Sequence, residues 1–116
     1  MATSTRQIEQ LAEKAYKKLG LRPADGDSDY CILGAACYAK TGLIISQWRY
    51  IHGGGYLGFC HLFKRSSRFI AGVITGFDGF EKEGKLTKPY IDGWKFGRRM
   101  RRKYITNKFH YTKQKV

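Results

Sequence analysis

Pro89-Tyr90-Ile91-Asp92-Gly93-Trp94-Lys95-Phe96-Gly97-Arg98-Arg99-Met100-Arg101-Arg102-Lys103-Tyr104 is the stretch whose reading decides the fold. At about 100° per residue, Gly93, Phe96, Gly97, Met100 and Tyr104 share an arc of about 100°, with Tyr90 at its edge. The segment therefore reads as one amphipathic helix with those positions towards a core. Thr87-Lys88-Pro89 opens it, since proline is tolerated in a first turn and its φ is already helical. Asp92 lies near that N-terminus, where negative charge is favoured. Gly93 and Gly97, four apart, predict close packing of another helix. Lys95, Arg98, Arg99, Arg101, Arg102 and Lys103 fill the remaining arc and predict a one-sided basic face.

Moving towards the N-terminus, the expected partner of that glycine stripe is the run from Tyr30 to Lys40, where Cys31, Leu33, Gly34, Ala35, Ala36, Cys37 and Ala39 are small or apolar. Gly42 ends this second helix. A further helix is predicted at the N-terminus. Ser4 and Gln7 have capping-box spacing, Ile8, Leu11, Ala12, Ala15, Tyr16 and Leu19 recur at three- and four-residue steps, and Gly20 supplies a left-handed cap. Between the two, Asp25, Asp27 and Asp29 invite a calcium reading. It fails, because an EF-hand loop counted from Asp25 needs glycine and glutamate where Tyr30 and Ala36 stand. Asp27, Ser28 or Asp29 is expected to cap the second helix instead.

Residues 43–51 read two ways, since Leu43-Ile44-Ile45 fits a short strand while Ile44, Trp48 and Ile51 fit a helix; the helix is the preferred reading. His52-Gly53-Gly54-Gly55 has the lettering of an esterase oxyanion loop, but no G-x-S-x-G serine accompanies it, and a turn is expected. Two short helices follow, 55–63 and 68–76, joined by Lys64-Arg65-Ser66-Ser67. They have helix-turn-helix spacing, with Cys60, Phe63, Ile70, Val73 and Gly76 on the apolar roles. Against this, Arg65 falls where an apolar turn residue belongs, and Ala71, Gly72 and Thr75 have little with which to read base edges. Together these segments predict a mainly α fold, a single-domain bundle of about four to five helices. Residues 1–105 form the globular part, and 106–116 are a basic, aromatic tail.

Charge supplies the functional signal. The chain has 116 residues with 22 Lys plus Arg against 9 Asp plus Glu, a net of +13. Residues 1–60 hold seven basic and five acidic residues, a net of +2, while 61–116 hold fifteen and four, a net of +11. After Asp92 no acid follows, whereas Lys95, Arg98, Arg99, Arg101, Arg102, Lys103, Lys108, Lys113 and Lys115 do. At 42% apolar and 15% aromatic residues, the chain is too rich in buriable surface to be a disordered basic tail. Like charges at i,i+4 cost a few tenths of a kcal/mol each, and the C-terminal end of the helix dipole offsets only part of this. A polyanion offsets the rest, because phosphate contacts release condensed counterions.

The expected function is accordingly a small nucleic-acid-binding protein, for DNA or RNA, that contacts phosphates through its C-terminal helix and tail largely without sequence readout. Its contact residues are Lys95, Arg98, Arg99, Arg101, Arg102, Lys103 and Lys108, with Lys64, Arg65 and Arg68 from the 64–68 turn. In the tail, Lys108, Phe109, His110, Tyr111 and Lys113 interleave cations with rings, as single-strand binders do. The alternative is a phage or mobile-element accessory protein that docks the same face on an acidic, nucleic-acid-like surface of a host complex and inhibits it.

Other classes find little support. His52, His61 and His110 have no spacing that pairs an acid with a base. Asp78, Glu81, Glu83 and Asp92 form no recognised metal-dependent pair, and Cys60, His61 and His52 no zinc set. No catalytic residue, cofactor or metal is expected, and the three cysteines, an odd number with no C-x-x-C, read as reduced and mostly buried. The longest stretch free of charged residues, 50–63, is too short to span a membrane. With no apolar leader, a cytoplasmic location is expected. Trp48, Tyr50, Tyr56 and Phe59 could offer a homodimer patch, though filling the core is the preferred reading.

Overall fold

Local capping chemistry fixes most of the helix ends. The computed structural model describes residues 1–52 and 55–110, and side chains throughout these except at 49–55. Among the described residues there are six helices and no strand. They are α1 (Thr5–Lys17), α2 (Ile32–Thr41), α3 (Ile45–His52), α4 (Gly55–Phe63), α5 (Ser67–Phe77) and α6 (Lys88–Tyr104). The glycines at 53–54, the Tyr50 side chain and the tail from residue 111, with Tyr111, Lys113 and Lys115, lie outside the described residues.

The capping box closes α1: Ser4 Oγ accepts from Gln7 N at 3.1 Å, and Ser4 N donates to Gln7 Oε1 at 2.8 Å. Ser66 caps α5 through Phe69 N, and Thr87 caps α6 through Tyr90 N, with Pro89 in the first turn. The Asp loop departs from expectation. Cys31 holds the α2 N-cap position without a side-chain bond. Asp29 reaches instead to the start of α3, accepting from Ser46 N at 3.0 Å and Ser46 Oγ at 2.8 Å. A carboxylate there satisfies a first-turn donor that α3 cannot satisfy itself.

Two packed pairs carry the core. In the first, α1 turns Ile8, Ala12, Ala15 and Tyr16 inward against α2, whose Ile32 to Cys37 are all buried. Phe59, Phe63, Phe69, Ile70 and Phe77 continue the core across α4 and α5. Trp48 and Phe59 fill it rather than a dimer patch, while Tyr56 stays exposed and donates its hydroxyl to Ser67 O at 2.7 Å.

The second pair, α5 on α6, is built on four glycines. A Cβ on Gly72 would collide with Tyr90 O, one on Gly76 with Trp94 O, one on Gly93 with Phe69 O and one on Gly97 with Val73 O. The numbers rise together, so the two helices run in the same direction with their backbones touching. Gly93 and Gly97 therefore receive α5, not α2 as the sequence suggests. Only α5 presents glycines at the same four-residue spacing, whereas α2 is covered by α1. Parallel neighbours need a connection that returns over the length of a helix. Eleven residues of α5 rise about 16 Å, and the chain between the helices, 78–87, can reach about twice that when extended.

Helix α5 offers a groove little surface: it buries Phe69, Ile70, Gly72, Val73, Gly76 and Phe77, half-buries Ala71, Ile74 and Thr75, and exposes Ser67 and Arg68 in its first turn. No helix among the described residues is long and apolar enough to cross a membrane.

The glycine contact yields a prediction whose sign separates two effects. Helix propensity alone makes Gly76→Ala stabilising by about 1 kcal/mol. The collision with Trp94 O is with backbone, which cannot swing away, so overpacking, at the upper end of about 1–3 kcal/mol, should outweigh the gain. Thermal denaturation of Gly76→Ala should show a lowered Tm, and a raised Tm would disprove the close approach.

Candidate nucleic-acid interface

Helix spacing alone would place six cations of α6 in one outward arc. The tertiary structure sorts them differently, because acids from three other segments come to meet them. Arg99 Nη1 lies 3.2 Å and Lys103 Nζ 3.5 Å from the Glu9 carboxylate on α1. Arg98 lies 3.9 Å from Glu81 in the α5–α6 connection, and only 12% of its side chain is exposed. Lys95 and Arg102 are exposed, and among the described residues neither has an ion pair.

Arg101 turns inward. It is 3% exposed, and its Nη1 donates to Asp25 Oδ2 at 2.6 Å and to Phe77 O at 2.9 Å, while Nε donates to Lys108 O at 2.9 Å. Its expected place on the basic face is thus corrected. Arg101 follows Gly93 and Gly97 at the same four-residue step, so it lies on the stripe that faces α5. There it sits one turn beyond the end of that shorter helix. A guanidinium at this point satisfies the orphan carbonyl of Phe77 and complements the negative end of the α5 dipole. Gly79 makes room for it, since a Cβ there would touch the guanidinium, and its φ of +88° suits glycine.

The surrounding acids are occupied structurally. Asp78 Oδ1 accepts from Gly26 N at 2.8 Å, tying the Asp loop to the end of α5. Burial pushes the Asp78 carboxyl above the ordinary Asp range, reinforced by Asp25, while the Gly26 bond and Arg101 act against this. No group of three or more possible metal ligands occurs among the described residues. Cys31 and Cys37 are buried and Cys60 half-buried, all three free, and burial pushes the Cys31 thiol up to about 12.

The 64–68 turn stands apart. Arg65 packs its guanidinium 3.6 Å from the Phe69 ring and donates to Thr3 O at 3.0 Å, fastening the N-terminus. Lys64 and Arg68 are exposed. With α5 parallel to α6, this turn lies level with the first turn of α6. Arg102 stands about 20 Å further along the axis. Lys64, Arg65 and Arg68 therefore do not join the C-terminal cluster.

What gathers at the far end includes aromatic rings that the charge pattern did not reveal. Lys82 Nζ lies 3.8 Å and Arg98 Cζ 4.6 Å from the Trp94 ring centre. Arg98 also lies 3.8 Å from that of Phe109. Residues 106–110 fold back onto the domain, with His110 N donating to Gly79 O at 2.7 Å. Lys108 is exposed there. Aromatic spacing around the helix gives no sign of this cluster, because Phe80, Trp94 and Phe109 come from three separate segments.

No family model, no curated protein and no solved structure matches the chain.

The two neighbouring arginines should behave in opposite ways. Arg101→Ala leaves the Phe77 and Lys108 carbonyls and Asp25 without their shared donor, and should cost about 3 kcal/mol. Arg102→Ala should change stability by less than about 0.5 kcal/mol. Urea denaturation of both variants checks this, and equal effects would contradict the inward placement of Arg101.

Proposed function

We propose that this protein binds nucleic acid, DNA or RNA, by holding phosphates along the outer side of α6 and the residues after it, without reading sequence and without catalysis. The observation that carries the reading is the charge left after pairing. Between Lys95 and Lys108 there are seven cations, and the carboxylates that pair with them within 4 Å are Glu9, Asp25 and Glu81. The cations of this segment thus outnumber their ion-pair partners by four. Exposed pairs such as Arg99 with Glu9 are worth little against water, so these cations remain available to a stronger anion.

Lys95, Arg99, Arg102, Lys103 and Lys108 are the contacts in this reading. Arg98 and Arg101 hold the surface in shape, and Arg65 holds the N-terminus. An arginine fork matches phosphate oxygens, and a lysine serves as a mobile point charge. Recognition of this kind follows shape and charge. An acidic protein surface would attract the same cations, and only a phosphate polymer adds counterion release.

Binding to mixed-sequence DNA should weaken with salt, with a log–log slope of about −3.6 for about four neutralised phosphates. Replacing Lys95, Arg102 and Lys108 together by Ala should flatten that slope by about three while leaving helical circular dichroism unchanged. A salt-independent affinity would reject the reading. So would a single protein partner retained from lysate after nuclease treatment, together with no affinity for nucleic acid.

A further inference from the structure

Four rings are linked where the connection after α5, the helix α6 and the chain after it converge: Phe80 lies against His110, Trp94 bonds Phe80 O, and Arg98 lies over both Trp94 and Phe109. Their backbones are stitched in place. Phe80 N donates to Thr75 O at 3.1 Å, Phe80 O accepts from Trp94 Nε1 at 2.8 Å, and His110 N donates to Gly79 O at 2.7 Å. Arg101 holds Lys108 O in the same region. Trp94 is occupied by Lys82 and Arg98, and Phe109 by Arg98, with Arg102 at 5.8 Å. Among the described residues no cation lies over Phe80. Its ring contact is His110, with centroids 5.2 Å apart and planes inclined by 31°. Phe80 is 39% exposed, and His110 is exposed as well.

A single exposed Phe is ordinary on a protein surface. Here the backbone that carries the ring is bonded at both N and O, the ring is paired with a second ring, and Lys82 on Trp94 and Arg102 beside Phe109 belong to the same cluster. That combination is what base stacking requires, namely a fixed π surface with cations near enough to hold the flanking phosphates. A duplex keeps its base faces stacked on one another. Only a single strand can place a base on Phe80 without first being unpaired.

We propose that the Phe80–His110 ring pair is a base-stacking platform and that the preferred ligand is single-stranded nucleic acid. The inference rests on the phosphate-binding reading above and adds the class of strand. The phosphates of the strand run past Lys108 and Arg102, and a base lies against the outer face of Phe80. Stacking tolerates any base, in keeping with binding that reads no sequence.

The test uses the full chain and three fluorescently labelled probes of equal length, about twelve nucleotides: an oligothymidylate, an abasic strand with the same phosphates, and a duplex. Wild type should bind the oligothymidylate at least roughly fivefold more tightly than the abasic strand. Phe80→Ala should abolish that difference while leaving the abasic strand and duplex affinities unchanged. Phe80→Leu, which keeps apolar bulk without a π face, should behave as Phe80→Ala does. Wild type binding both single strands equally would overturn stacking, as would Phe80→Ala binding oligothymidylate like wild type. Both results leave phosphate binding standing. Equal loss on all three probes would assign Phe80 to the fold and overturn the platform. No binding of wild type to any probe would overturn both readings.

Discussion

Backbone contact between α5 and α6 is the constraint from which the rest of the architecture follows. Gly72 and Gly76 face Gly93 and Gly97, so each helix packs against the carbonyls of the other rather than against a layer of side chains. Close approach places many weak dispersion contacts in register, and it fixes the two helices as parallel neighbours. A parallel pair of unequal length has one overhanging end. Since α6 runs on past the end of α5, its last turns project, and Arg101 drops into the space below them to cap Phe77 O. The same overhang lets residues 106–110 fold back to Gly79 and brings Phe109 and His110 beside Trp94 and Phe80.

Electrostatics then works at two depths. Beneath the surface, Arg101 joins Asp25, Phe77 and Lys108, linking the Asp loop, α5 and the tail through one guanidinium. Such a group holds three segments in register because its donors form a rigid fork. At the surface, Arg99 and Lys103 share Glu9 and so tether α6 to α1, where Tyr16 and Tyr104 also pack with ring centres 4.8 Å apart. These outer pairs are half in water, where an exposed ion pair contributes little. Under the proposed function, structural and binding cations are interleaved along one helix, distinguished by depth rather than by residue type.

Much of this was legible from the sequence. The capping box at Ser4 and Gln7, the start of α6 at Thr87, and its buried positions Tyr90, Gly93, Phe96, Gly97 and Met100 follow from spacing alone. The partner of the glycine stripe was not, because spacing says that a helix can approach closely and is silent on which. Gly72 and Gly76 carried the missing signal, a second four-residue glycine step of matching length. Arg101 was misplaced for a related reason. A charged residue reads as outward by default, yet its step from Gly97 continues the inward stripe, and the C-terminus of α5 creates the acceptor that it satisfies. The pairing of Glu9, Asp25 and Glu81 with α6 depends on chain crossings that no local pattern records.

Separation of binding from structural cations along α6 is open to one direct measurement. Amide and arginine side-chain nitrogen resonances of the labelled protein, followed by NMR while a short mixed-sequence oligonucleotide is added, would map contact residue by residue. Shifts should cluster at Lys95, Arg99, Arg102, Lys103 and Lys108, with the Arg101 Nε signal still at its bonded position and α1 residues Lys14 and Lys17 unmoved. Shifts centred on α1, or loss of the Arg101 signal in step with the others, would contradict that separation.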